Sequence, residues 1–131
     1  MLSSLDENNV KVVWHKKFFD ACKSRLSDNE YLIMIKELNR VVQDTDKEFV
    51  VAGFIPGSDW TETVWEPVYT NACGEDDEHS AQFFGLLVCQ VLIDRDEKWY
   101  FLKQSDFAKS MIYFKEKERN NINMLTEKFG E

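Results

Sequence analysis

Glycine, proline, cysteine and histidine are all scarce in this chain: five, two, three and two in 131 residues. Five glycines leave little for a loop that cradles phosphate. Neither the Gly-x-Gly-x-x-Gly of dinucleotide sites, nor a Walker loop, nor a Gly-x-Ser-x-Gly elbow occurs. His15 and His79 have no second histidine four residues on and no cysteine at metal-ligand spacing, so neither a metal nor a cofactor is expected. Cys22, Cys73 and Cys89 include no Cys-x-x-Cys and leave one odd thiol under any pairing. That usage suits reduced thiols and a cytoplasmic location. Met1 to Asn9 lacks the basic and apolar stretches of a signal peptide. The longest apolar run, Phe83 to Ile93, is interrupted by Gln90 and too short for a bilayer, so no membrane role is expected.

Positive charge is missing from the middle of the chain. From Glu48 to Glu97 there are eleven acids and one base, Arg95. Acids and bases balance before that stretch and bases slightly exceed acids after it, so the net charge of −8 originates there. Direct nucleic-acid binding needs positive charge facing phosphate and is disfavoured. A basic protein partner suits such a field, because complementary charge speeds encounter.

What the chain has in quantity is apolar and aromatic surface, 44% and 14% of its residues. That is enough for a core in one domain over residues 1–131. Phe83 to Ile93 is apolar on nearly every side, which belongs at a fold's centre. Acids at Glu75 to Glu78 suit a helix N-terminus and Arg95 its other end, predicting a buried helix over 77–94.

The rest of the pattern is α+β. Asn8 or Asn9 can cap a first helix to about Arg25, with Trp14, Phe18, Ala21 and Cys22 on one stripe. Ser27 and Glu30 fit a capping box, opening a second helix to about Gln43 with Tyr31, Met34, Ile35, Leu38, Val41 and Val42 inward. Residues 48–55, 98–104 and 111–115 read as three strands of a small antiparallel sheet, with helix over 106–117 as the rival reading of the last. Pro67 can open a short helix that Gly74 ends, and Ile122, Leu125 and Phe129 line up in a tail helix. The expectation is a sheet of about three strands covered by four to five helices.

The most unusual stretch is 56–69. It sets Trp60, Trp65 and Tyr69 among Asp59, Glu62 and Glu66, next to the Pro56-Gly57 turn. Loops held on a rigid frame favour function, and Trp and Tyr make good binding anchors. Aromatic faces ringed by carboxylates suit a cation. With Asp76 and Asp77, these residues form the expected binding surface of a non-catalytic module that meets a basic protein. The competing reading is that Trp60 and Trp65 simply close the core.

Catalysis is disfavoured. Glu62 and Glu66 are four apart, as acid–base carboxylates on a helix would be, but Pro67 disrupts that geometry. The acids at 75–78 lack the glycine and distal glutamate of a calcium loop. Cys73 and His79 flank Gly74 without any motif for a thiolate–imidazole pair. In size, acidity and aromatic content the chain is of the physical type of inhibitors and immunity proteins of basic nucleases, an analogy with no shared motif. Two other readings compete. One is a ligand pocket or enzyme site between sheet and central helix, using Glu66, Tyr69, His79 and Gln90. The other is a subunit whose exposed aromatics meet a second copy as a homodimer.

Overall fold

The computed structural model describes residues 1–44, 48–50, 63–103 and 111–115. The architecture is α+β. In chain order come β1 (Leu2–Ser3), β2 (Asn9–Val10), α1 (Lys16–Lys23), α2 (Asp28–Gln43), β3 (Glu48–Val50), a π-helix (Val68–Ala72), α3 (Asp77–Asp94), β4 (Trp99–Lys103) and β5 (Met111–Lys115).

The central helix forms where its sequence placed it. Asp76 caps it through a 2.8 Å bond from the His79 amide, and Asp77 and Glu78 occupy its positive first turn. Every residue from Phe83 to Cys89 is buried, which explains why no single apolar face stood out. Helices α1, α2 and the π-helix surround α3. Cys89 of α3 meets Tyr113 of β5 in the core, where burial and then the neighbouring thiol push the tyrosine hydroxyl well above its ordinary range.

Helix α2 also starts as its sequence dictates. The Ser27 hydroxyl accepts from the Glu30 amide at 3.0 Å, and the Ser27 amide donates to the Glu30 carboxylate at 2.9 Å. Met34, Leu38 and Val42 are fully buried along one stripe.

The sheet differs from expectation. Among the described residues its order is β2-β1-β4-β5-β3, five strands rather than about three. It is mixed rather than antiparallel, because β1 pairs with β4 in parallel, Leu2 opposite Trp99. The three expected strands are present as 48–50, 99–103 and 111–115, and β5 lies between the other two. Strand β5 over 111–115 corrects the rival helix there. The remaining expectations, for 51–55, the Pro56-Gly57 turn, the 105–110 connection and the tail helix over 118–129, lie outside the described residues.

Helix α1 begins at Lys16, not after Asn8 or Asn9. Those residues serve the sheet instead. Asn9 lies in β2 opposite Ser3, whose hydroxyl donates to its amide oxygen at 2.7 Å. The turn between the strands has Glu7 at φ 65, and Glu7 accepts from the Tyr100 hydroxyl at 2.7 Å and pairs with Lys98. Pairing beside β4 satisfies backbone groups that an extended α1 would have left open on the sheet edge.

Side chains alternate across β4 and β5. Trp99 and Tyr113 join the main core, and Phe101 packs edge-on to Trp14 with ring centroids 5.1 Å apart. Tyr100 and Phe114 stack at 5.8 Å in a second cluster with Leu5 and Leu102. Among the described residues, no helix is long and apolar enough to cross a membrane.

Candidate functional site

The described part of the expected surface runs from Thr63 through the π-helix to the start of α3. Pro67 precedes the π-helix with φ −61 and ψ −24, a conformation its ring favours. The segment was expected to be a short helix over 67–73; the wider turn ends with the Cys73 amide donating to the Val68 carbonyl at 3.1 Å. Such wide turns recur at functional sites. Gly74 then takes φ 59 and Glu75 φ 64, two successive left-handed residues that reverse the chain into the Asp76 cap.

Five of the expected site residues fall within the described part of the chain. Trp65 is half-buried and packs edge-on against Phe84 of α3, centroids 5.0 Å apart at 87°. Tyr69 is half-buried against the core beside the acidic turn. Partial burial, and then the charges of Asp77, Glu75 and Asp76, raise its hydroxyl pKa. Glu66 is half-buried at the rim of a groove, and its carbonyl accepts from the Thr70 hydroxyl at 3.1 Å. Asp76 and Asp77 are exposed. Asp59, Trp60 and Glu62 lie outside the described residues.

That groove, about 430 Å³, lies between α2 and the π-helix, with Ile33, Val64 and Pro67 as apolar lining and Glu30 and Glu66 as acids. A second groove of about 630 Å³ continues past Ile33 and Val64 to Lys36, Arg40 and Arg95. The four residues suggested for a pocket between sheet and α3 do not converge. Of Glu66, Tyr69, His79 and Gln90, only Glu66 lines the first groove. His79 and Gln90 are separated by three helical turns of α3, roughly 16 Å along its axis. Gln90 donates to Asp94 at 3.0 Å, and the His79 ring lies 5.5 Å from that of Phe18.

The suggested Cys73–His79 pair is replaced by another. Cys73 faces Cys22 of α1, with Sγ atoms 3.9 Å apart, while His79 Nδ1 lies 3.7 Å from Asp76. Burial raises the Cys22 thiol and pushes Cys73 and Cys89 up to about 12, which keeps all three protonated at neutral pH. Among the described residues, no group of three His, Cys, Asp or Glu side chains is disposed to hold a metal ion.

Two long-range contacts escaped sequence reading. Asn71 donates to the second carboxylate oxygen of Glu30 at 2.9 Å, tying the π-helix to the α2 capping box. Arg25 Nη1 donates to the Ala72 carbonyl at 2.8 Å, tying it to the end of α1. Separations of 41 and 47 residues leave no local signal for either.

Compared with protein-family models, with curated proteins and with solved structures, the chain matches none.

Proposed function

We propose that the protein is a non-catalytic binding module that meets a basic protein partner through an acidic, aromatic surface at the junction of the π-helix and α3. The reading rests on one observation: the half-buried Tyr69 sits beside the exposed acidic turn Glu75 to Glu78, its carbonyl accepting from the Glu75 amide at 2.7 Å and its hydroxyl raised by burial and then by the charges of Asp77, Glu75 and Asp76. A phenol beside an acidic turn offers apolar area and a field suited to a lysine or arginine side chain. The rigid base beneath it, anchored to α1 by Arg25 and to α2 by Asn71, keeps that surface pre-formed. Trp65 would act mainly as a support, since its ring packs against Phe84 of the core.

The test neutralises charge without disturbing the fold. Glu66→Gln, Asp77→Asn and Glu78→Gln are combined, leaving the Asp76 cap and the left-handed Glu75 intact. Wild type is expected to retain a basic protein from host lysate at low salt and release it as salt rises. The triple variant should lose most of that binding, and Tyr69→Ala should shorten the lifetime of what remains. Equal retention by wild type and triple variant would refute the reading.

A second reading draws on a different feature. Ile33 and Val64 are 46% and 42% exposed and line both grooves together, and exposed apolar surface of this kind suits a homodimer contact. Sedimentation of wild type against Ile33→Asp separates the two readings: a dimer lost on substitution supports self-association, and a monomer at high concentration removes it.

A further inference from the structure

We propose that Cys22 and Cys73 are a redox pair that closes to a disulfide between α1 and the end of the π-helix, with Cys89 left as a thiol. The three cysteines are not equivalent. Cys22 and Cys73 are in sulfur–sulfur contact at 3.9 Å although 51 residues apart in the chain. Cys89 lies elsewhere, on α3, beside Tyr113 and the Trp14 backbone. The pair is therefore selected by the fold from three combinations that the sequence leaves open.

The positions also suit bond formation. A disulfide needs sulfurs roughly 2 Å apart, so closure asks for roughly 2 Å of approach. Cys22 lies in the last turn of α1, and Cys73 terminates the π-helix at φ −118 and ψ 8, just before the two left-handed residues. Both sulfurs thus sit at element ends, where small backbone shifts disturb few ladder bonds. The Arg25 guanidinium spans the same junction by donating to Ala72, so the two segments are already held together without the bond.

Access is limited but unequal. Cys73 is 7% exposed, Cys22 1% and Cys89 0%. Because burial holds both thiols protonated, attack in the native state is slow. The link forms during folding or through local opening of the Cys73–Glu75 turn. With a small-molecule disulfide as oxidant, one protein thiolate attacks it and expels one small thiolate. The second protein thiol, after losing its proton, attacks the mixed disulfide and expels the other. The protein loses two hydrogen atoms and the oxidant becomes two thiols, so the exchange balances. In a reducing compartment both cysteines stay as thiols, and in an oxidising one the junction is stapled.

The test begins with the full chain unfolded and reduced, so that burial does not block reaction. It is refolded to equilibrium in a buffer of oxidised and reduced glutathione. Remaining thiols are alkylated under denaturing conditions, and the products are mapped by mass spectrometry of unreduced peptides. Two of three alkylation sites should be lost, with Cys22 and Cys73 joined in one cross-linked peptide and Cys89 alkylated. The oxidised chain should melt at a higher temperature than the reduced one, because closing a long loop restricts the unfolded state. The melting temperature of Cys22→Ser or Cys73→Ser should not respond to the glutathione ratio. Three alkylated thiols, a link to Cys89, or glutathione adducts in place of an internal bond would each overturn the proposal. The wild-type map decides it even where a serine variant folds poorly.

Discussion

Arg95 and Asn39 join the end of α3 to α2: Arg95 Nη1 donates to the Asn39 side-chain oxygen at 2.9 Å, and Nη2 to Gln43 at 2.7 Å. Asn39 and Gln43 stand four apart, so one planar guanidinium reads one helix face. Its side chain is only 14% exposed. Arg95→Ala is expected to cost about 2 kcal/mol, the scale of hydrogen bonds from a charged donor. Arg95→Lys should recover less than half, since an ammonium cannot span both partners. Urea unfolding of the three proteins measures this, and a loss typical of an exposed arginine would contradict it.

The same guanidinium gives the protein an acid limb. Arg95 Nε donates to Glu97 at 2.7 Å, and this bond, helped by the Trp99 indole N–H, holds the Glu97 pKa below its ordinary 4.5 despite partial burial. A carboxyl whose pKa is lower folded than unfolded stabilises the fold fully above the unfolded value. That contribution fades as pH falls through 4.5 toward the folded value. Glu97→Gln should therefore flatten the loss of melting temperature between neutral and strongly acidic pH. A variant with an unchanged acid limb would show that other groups set it.

Gly74 isolates a purely conformational cost. Its φ is 59, and a Cβ built there would meet nothing within 4 Å. Gly74→Ala should destabilise by about 1 kcal/mol through the left-handed backbone alone. Gly74→Asn should cost less, because asparagine tolerates that region. Thermal melts of both variants check the order; equal costs would point to a lost contact instead.

What could be read from the sequence was local. Ser27 and Glu30 are three apart and announce the α2 cap by themselves, and Asp76 with Asp77 and Glu78 does the same for α3. Gly74 likewise marked the stop after Pro67. The N-terminal strands could not be read, because two residues each are too few to show a period, and Trp14 to Cys22 carried a helical stripe that invited an earlier start. Candidate-site residues were legible as an acidic aromatic run, but not their orientation. Trp65 looked the same in sequence whether it faced solvent or packed on Phe84. The Cys22–Cys73 contact was invisible because tertiary packing alone makes it.

The parallel pairing of β1 with β4 bears on how the chain acquires its shape. Leu2 must find Trp99, and β3 reaches β4 only by way of β5. The sheet is thus assembled from partners far apart along the chain, whereas α1 and α2 form from neighbours. Closing such long loops is entropically expensive and slows the rate-limiting step. On a ribosome the helices between them emerge and collapse first, while β1 waits for a partner 97 positions further along, Leu2 for Trp99. That waiting interval is when the chain is most exposed to mispairing.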